Sequence, residues 1–335
     1  MSPVVAATEA TPAAVAADRR RARRRAGWRR RLIVTAFLGP WLVGFSIFFA
    51  YPLLMSGYLS LHSYDLLSPP RWVGLANYRY LFGEDPQIWP AVYNTLWLIV
   101  FAVPLTVVFG FGIALMLTRA RSGAGVFRTL FYLPALVPPV AATLGFVYIF
   151  NPATGPVNHI LDKLGIEGPL WFNDPGWSKP SLVMLGLWGV GTTMIIFLAA
   201  ILDVPRHLYE SAELDGANAL QRLRWVTLPT ISPVILFAVV LGVIGALQYF
   251  TQAHVAASVA AGSATQGGTT TNIEIGYPEG STMFYPILVY NHGFRYFNMG
   301  YASAMAMLLL VVAFAVTVVI IWNSRRVVHY QGASR

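Results

Sequence analysis

Six long apolar runs constrain the fold of this 335-residue chain more than any other feature of its sequence. They lie at about 32–60, 91–118, 129–150, 181–202, 232–253 and 300–323. Each run is long enough to cross a hydrocarbon core of about 30 Å as a helix. Only 11% of the residues are charged, against roughly 25% in an ordinary soluble domain. The sequence therefore predicts an all-α integral membrane protein with six transmembrane helices.

The distribution of charge predicts how these helices are oriented. Residues 1–31 form a basic tail with nine arginines, which we predict to be disordered. If this tail is inside, 18 basic residues lie on the inner side and 5 on the outer side. Because inner loops carry the excess of Lys and Arg, both termini are predicted to be cytoplasmic. The membrane domain is then 32–323, followed by a cytoplasmic tail, 324–335.

The arginine run itself has two interpretations. A block of like charges can bind nucleic acid. Directly before an apolar span, however, it more simply anchors the chain and contacts anionic lipid. We therefore expect membrane lipid, and no nucleic acid, among the partners.

A charged segment between the fourth and fifth runs, 203–230, has the pattern of two short helices. Asp203 and Pro205 favour a helix start. Gly216 favours its end, since glycine adopts the left-handed cap conformation without steric cost.

The second of these helices also has start and stop signals. Asn218 and Gln221 have the spacing of a capping box. Pro229 is predicted to close the helix.

The same segment resembles the coupling loop of the sugar-type permeases of ABC importers. That signature is Glu-Ala-Ala, three residues, Gly, and a later Leu-Pro; here it reads Glu210-Ser211-Ala212, then Gly216-Ala217, with Leu228-Pro229 closing it. Ser211 departs from the usual alanine. The insert 256–277 departs more, because the family usually has a short turn there.

The resemblance implies a fold, partners and a location. The fold would be that of a type I ABC importer permease in the bacterial plasma (inner) membrane, as a multi-pass protein. The partners would be a second permease, two ATPase subunits and an external sugar-binding protein. The residues expected to couple to the ATPase are Glu210, Ala212, Asp215, Gly216, Ala217 and Pro229.

The sequence offers no catalytic site of its own. Neither lysine, Lys163 or Lys179, follows the glycine that a Gly-Lys-Ser/Thr phosphate loop requires. Cysteine is absent, and the six histidines show no metal-ligand spacing. We therefore expect no metal, enzyme activity or cofactor in this chain, with ATP and magnesium on the partner subunits.

Aromatic and amide side chains near the ends of the spans are candidates for contact with substrate. Sugars are bound by stacking aromatics together with amide or hydroxyl groups. The candidates are Tyr148, Asn151, Trp188, Thr192, Gln248, Tyr249 and Gln252. For each of them, a contact between helices or a place in the interfacial aromatic belt is the alternative.

Two other functions remain open on the sequence. The same machinery could carry a non-sugar solute such as glycerol phosphate, although no basic residue lies within a predicted span. A membrane receptor or scaffold without transport would share the hydropathy pattern. The expected function is an ATP-driven, binding-protein-dependent importer of a di- or oligosaccharide.

Overall fold

A computed structural model describes residue 28 and residues 32–119, 123–262 and 276–324. The basic tail 1–31 (Trp28 apart), residues 325–335 and the middle of the 256–277 insert lie outside the described residues. The chain divides into two units, residues 1–58 and 59–335. Helix α1, Leu32–Leu59, makes up nearly all of the described part of the first unit.

Helices dominate the second unit. In chain order they are α2 (Ala76–Gly83), α3 (Ile88–Arg119), α4 (Ala124–Leu136), α5 (Pro139–Ile149), α6 (Pro156–Lys163), α7 (Pro175–Trp188), α8 (Gly191–Leu202), α9 (Arg206–Leu214), α10 (Ala219–Thr230), α11 (Ser232–Leu247), α12 (Thr251–Ala260), α13 (Tyr285–Tyr290) and α14 (Met299–Ser324). The prediction of an all-α chain missed one short antiparallel ladder, in which β1 (His62–Ser63) pairs with β2 (Arg71–Trp72).

The described residues contain three helices that are long and apolar enough to span a membrane: α1, α3 and α14. Three bent pairs bring the number to as many as six if each pair is one span. The bends are 97° between α4 and α5, 49° between α7 and α8, and 68° between α10 and α11. Hydropathy alone predicted the six runs but not these bends.

Proline explains the sharpest bend. Val137 and Pro138 are extended, with ψ values of 129° and 136°, between the two helices. A residue that precedes proline is pushed out of the helical region, and proline donates no backbone hydrogen bond. Pro138 and Pro139 therefore end α4 and begin α5 in a new direction.

Several predicted boundaries were wrong. Asp203 caps the end of α8 rather than starting a helix, and α9 begins at Arg206. The second loop helix passes through Pro229 to Thr230, after a π-helical turn at Leu223–Thr227. Pro229 is tolerated because it lies in the first turn of the segment that follows the π turn, where its N–H is not needed.

The fourth and fifth spans also differ from the prediction. The Asp174 carboxylate accepts hydrogen bonds from Gly176 N (2.7 Å) and Trp177 N (3.0 Å), so α7 starts at Pro175. Lys179 is consequently inside a helix of a spanning pair. The fifth run breaks after Leu247, and α12 continues it as far as Ala260 into the insert.

The buried core of the second unit is centred on α3. This helix packs against α8 and α11. One cluster, including Leu98, Val147 and Phe284, draws its residues from α3, α5, α7, α11, α12 and the start of α13. A second, including Met194 and Phe197, extends along α3 and α8 toward the α9–α10 loop.

The β hairpin is fixed against the start of α14 by a close backbone approach. Gly300 N donates to Tyr64 O at 3.1 Å. A Cβ at Gly300 would overlap the His62 carbonyl oxygen. Only glycine permits this contact without displacement of the backbone.

Candidate functional site

A cavity of about 240 Å³ lies among α4, α5, α7, α8 and the start of α12. Four of the seven predicted path residues line it, namely Trp188, Thr192, Tyr249 and Gln252. Its remaining walls come from the α4–α5 bend and from α7, through Pro134, Ala135, Val137, Pro139, Ala142, Leu185, Gly186 and Gly189. The bend thus places small residues and prolines opposite aromatic and amide side chains.

Tyr249 is the most constrained of the four. Its hydroxyl is buried and has no hydrogen-bond partner among the described residues. Its ring meets Phe284 edge to face at a centroid distance of 5.6 Å. A buried hydroxyl without a partner costs roughly 1–3 kcal/mol. Because the Tyr249 hydroxyl is closed off from the cavity, this residue offers a ligand its ring.

Trp188 supplies the aromatic face of the cavity. Its ring lies 5.4 Å from that of Phe146. It also borders a second, mostly apolar cavity of about 460 Å³, which includes Phe109, Leu130 and Met184. The two cavities share Pro134 and Trp188.

The other three predicted path residues lie elsewhere. Tyr148 is exposed at the end of α5. The Asn151 carboxamide oxygen accepts hydrogen bonds from the backbone of Ala153 and Thr154, both at 3.0 Å, and so stabilises a turn. Gln248 is exposed at the end of α11 and does not line the cavity.

A buried polar junction that sequence reasoning missed joins α3, α7 and the segment before α13. Asn94 Nδ2 donates to the carbonyl oxygens of Gly280 (2.9 Å) and Met283 (3.0 Å). Lys179 Nζ donates to Asn94 Oδ1 at 3.0 Å. An amide at the start of an apolar run was the only signal of this junction in the sequence.

A second buried junction surrounds Asp85. Tyr301 Oη donates to Asp85 Oδ2 at 2.6 Å, and Gln87 N donates to Asp85 Oδ1 at 2.8 Å. His292 Nε2 lies 3.6 Å from Asp85 Oδ2 and has no hydrogen-bond partner among the described residues. These contacts connect the segment before α3 with both ends of the turn that leads into α14.

The α9–α10 loop ends its first helix as the sequence predicts. Gly216 has φ +77°. Ala217 N donates to Ala212 O at 2.9 Å, and Gly216 N donates to Glu213 O at 3.0 Å. This pair of bonds is the Schellman motif, which satisfies the last carbonyls of a helix.

The predicted capping box is present at the start of α10. Gln221 N donates to Asn218 Oδ1 at 2.9 Å, and Asn218 N donates to Gln221 Oε1 at 2.7 Å. An ion pair between Glu213 and Arg222 links α9 to α10. Tyr209 Oη and Thr227 Oγ1, 2.9 Å apart, form a second link.

One side of the loop packs on the membrane helices and the other is exposed. Leu208, Tyr209 and Val226 pack against the buried cluster along α3 and α8. Leu214, Leu220 and Trp225 are 89%, 72% and 70% exposed. The loop is therefore a hairpin held by hydrogen bonds and an ion pair, and it presents apolar side chains outward from the ends of the spans.

A chain of bent membrane helices with such a hairpin between two of them matches a known class of transport proteins. Residues 106–329 match the family described as "Binding-protein-dependent transport system inner membrane component". The chain belongs to this family. It is a multi-pass inner-membrane permease of the ABC transporter class.

Similar proteins have related descriptions. The "Probable ABC transporter permease protein YesP" of Bacillus subtilis (strain 168) is 35% identical over 298 residues, covering 88% of this chain and 91% of YesP. The "Sulfoquinovosyl glycerol transport system permease protein SmoG" of Agrobacterium fabrum is 30% identical, covering 86% and 89%. A bacterial ABC transporter that imports the acidic polysaccharide alginate has a chain with a TM-score of 0.72 at 25% identity, covering 92% of this chain and 100% of that one.

Proposed function

We propose that this chain forms half of the translocation path of an importer for a di- or oligosaccharide. The cavity is the observation that carries the proposal. It combines the rings of Trp188 and Tyr249 with the hydroxyl of Thr192 and the amide of Gln252. Stacking surfaces beside a few polar groups suit a sugar, which has apolar faces and hydroxyl edges. The transport systems named for SmoG and for alginate support a saccharide substrate.

Coupling to ATP is the second part of the proposal. The loop 203–230 docks on an ATPase subunit, which holds ATP and magnesium. Glu210 is exposed and in no ion pair among the described residues, whereas Glu213 is paired with Arg222. The Glu210 carboxylate is thus available for a charge-assisted contact with a basic group of the motor.

The remaining coupling residues set the shape of the loop. Gly216 makes the turn, Ala212 and Ala217 close the Schellman motif, and Asp215 precedes the glycine at the exposed tip. Pro229 lies beside the π turn, where α10 leads toward α11. A hairpin of fixed shape transmits motor closure to the spans without absorbing it.

The assembly would contain a second permease, two ATPase subunits and an external sugar-binding protein, surrounded by membrane lipid. Both termini and the 203–230 loop would face the cytoplasm. The other candidate class, a receptor or scaffold without transport, predicts a purified chain with no ATPase subunit attached. Co-purification of an ATPase would exclude that class.

Lys179 favours a variant of this proposal in which the sugar is acidic. Its Nζ lies 5.3 Å from the ring centroid of Tyr93 and 5.5 Å from that of Trp97. No carboxylate of the described residues pairs with it. The prediction that no basic residue lies within a span, which disfavoured an anionic solute such as glycerol phosphate, stays a prediction, and Lys179 lies five residues into helix α7.

Transport in vesicles tests the cavity. The complete complex with its binding protein would be supplied with a panel of neutral oligosaccharides and a panel of uronate-containing ones. We expect Trp188→Ala to reduce uptake at subsaturating sugar by roughly threefold to tenfold, because an aromatic contact contributes about 0.5–1.5 kcal/mol. Trp322→Ala, on the exposed face of α14 and outside the cavity, is the matched control.

The two panels separate the two substrate classes. Uptake of neutral sugars alone would reject the acidic variant, and uptake of uronates alone would support it. Equal uptake by Trp188→Ala and the unsubstituted complex would remove the cavity from the path.

A further inference from the structure

Another cavity, of about 220 Å³, lies where the α9–α10 loop meets the ends of α3 and α8. Its polar lining residues are Thr118, Arg119, Tyr209, Arg222 and Thr227. Leu115 and Ile201 form apolar walls on the membrane-helix side.

The two arginines are not neutralised to the same extent. Arg222 pairs with Glu213 across the loop, but a guanidinium has five N–H donors and one carboxylate does not use them all. Arg119, the last residue of α3, is exposed and forms no ion pair with a carboxylate of the described residues. The cavity therefore has an excess of positive charge and unused donors.

The chemistry of these donors selects an anion with several oxygens. The guanidinium fork matches carboxylate and phosphate geometry, and such charge-assisted bonds are about twice as strong as neutral ones. The carboxylates of the described chain are not among the residues that line the cavity. A phosphate group from outside the chain fits the lining best.

The position of the cavity indicates where that phosphate would come from. Arg119 ends a spanning helix, and the distribution of charge predicts that this end is cytoplasmic. Lipid phosphates form a layer at this depth, and anionic lipids concentrate in the cytoplasmic leaflet. Leu115 and Ile201, four residues and one residue from the helix ends, would contact the glycerol and upper acyl carbons.

We propose that this cavity binds the phosphate of an anionic phospholipid from the cytoplasmic leaflet, held by Arg119 and Arg222. The lipid would connect the end of α3 to α10 and so hold the loop against the spans. Binding of the lipid does not depend on what the loop does. Its effect on ATP hydrolysis rests on the proposed coupling role of the loop.

The first measurement is lipid binding by the purified complex. Native mass spectrometry would count phosphatidylglycerol bound during titration, with phosphatidylcholine as the comparison lipid. We expect Arg119→Gln to weaken phosphatidylglycerol binding by about fivefold, the effect of one basic residue near an anionic surface. Arg119→Lys should retain part of the affinity, because it keeps the charge and loses the fork.

The matched control is Arg128→Gln. Arg128 belongs to the same basic segment after α3 and is exposed, but it does not line the cavity. Equal losses of lipid in Arg119→Gln and Arg128→Gln would overturn the proposal in favour of a diffuse attraction of basic residues to the surface. A loss confined to Arg119→Gln supports the cavity.

A competition experiment distinguishes a lipid from free phosphate. Inorganic phosphate at millimolar concentration should not displace phosphatidylglycerol from the complex. If it does, and if the complex shows no preference for phosphatidylglycerol over phosphatidylcholine, the cavity is a site for soluble phosphate and the lipid assignment is wrong.

ATP hydrolysis stimulated by the loaded binding protein is the last measurement. It should be higher in phosphatidylglycerol vesicles than in phosphatidylcholine vesicles, and the difference should shrink in Arg119→Gln. Loss of the lipid with unchanged stimulation would keep the lipid site and count against the coupling role of the loop. The two failures are therefore distinguishable.

Discussion

At the scale of single residues, the burial of His292 beside Asp85 makes the stability of the folded protein depend on pH. Burial lowers the pKa of His292, and the nearby Asp85 carboxylate opposes this shift only in part. The neutral imidazole is therefore favoured in the folded protein. Since the unfolded chain has an ordinary histidine pKa of about 6.5, protons bind the unfolded state more readily. The contribution of the neutral His292 to the free energy of unfolding is complete above pH 6.5, and it is lost as the pH decreases below that value.

The difference in proton binding between the folded and unfolded states predicts a loss of stability at low pH that is caused by the His292 side chain. Thermal unfolding of the purified complex should show a larger drop in Tm between pH 7.5 and pH 5.5 for the unsubstituted protein than for His292→Gln. Glutamine has no charge to gain and keeps a donor for Asp85. His159→Gln is the control, because His159 is an exposed histidine of helix α6 that takes no part in this junction. Identical pH profiles for His292→Gln and the unsubstituted protein would contradict the prediction.

Residue contacts that are local in sequence were predictable, and distant ones were not. The capping box of Asn218 and Gln221 depends on a spacing of three residues, which any reader of the sequence sees. The bond between Tyr301 and Asp85 joins residues 216 positions apart. Nothing in either segment alone shows that an aspartate beside a turn will meet a tyrosine inside an apolar run. The hydrogen bond between Lys179 and Asn94 was not predicted for the same reason, because the two residues are 85 positions apart.

At the scale of elements, the turn at Gly216 decides the shape of the hairpin. Its φ of +77° lies in the left-handed region, and a Cβ there would meet no atom within 4 Å. The cost of a side chain is thus conformational rather than steric crowding, about 1–2 kcal/mol for an L-residue. A β-branched residue is expected to open the Schellman motif and to change the angle between α9 and α10.

Gly216→Val should therefore reduce stimulated ATP hydrolysis and transport together, with weaker retention of the ATPase subunits. Insertion in the membrane and binding of the external protein should survive, because Gly216 does not line the cavity. Gly125→Val is the matched control, since Gly125 lies in helix α4 with open space around its Cα and no positive φ. Full stimulation and transport in Gly216→Val would show that the loop does not couple.

The elements also show why hydropathy predicts spans better than their shapes. Membrane burial requires only that about 20 residues be apolar, and six runs satisfied this. The angle between two helices depends instead on where backbone hydrogen bonds are interrupted and on what packs in the gap. Val137 to Pro139 give a visible cause for one bend. The bend at Ile231, where α10 meets α11, has a similar signal, because Pro233 lies in the first turn of α11.

At the scale of the whole molecule, two membrane helices expose apolar faces that the chain itself does not cover. In the most apolar windows of α1 and α14, 0% and 11% of the residues are buried inside the chain. Apolar faces of this extent must contact lipid or another protein chain. Contact with lipid and contact with another protein chain are both expected of a permease that functions within a larger membrane complex.

The 97° bend between α4 and α5 is compatible with two membrane topologies. In one the pair crosses the membrane, and in the other it enters and leaves on the same side. If this pair crosses the membrane, a reporter fused after Arg128 or Arg224 should be active only in the cytoplasm, and one fused near Gly165 only outside. If the pair enters and leaves on one side, Gly165 moves to the cytoplasm and Arg224 to the outside. The second arrangement would put the three basic residues of the 203–230 loop on the outer side, against the charge rule. We therefore expect the crossing, and a cytoplasmic reporter at Gly165 would overturn both the six-span topology and the cytoplasmic docking of the loop.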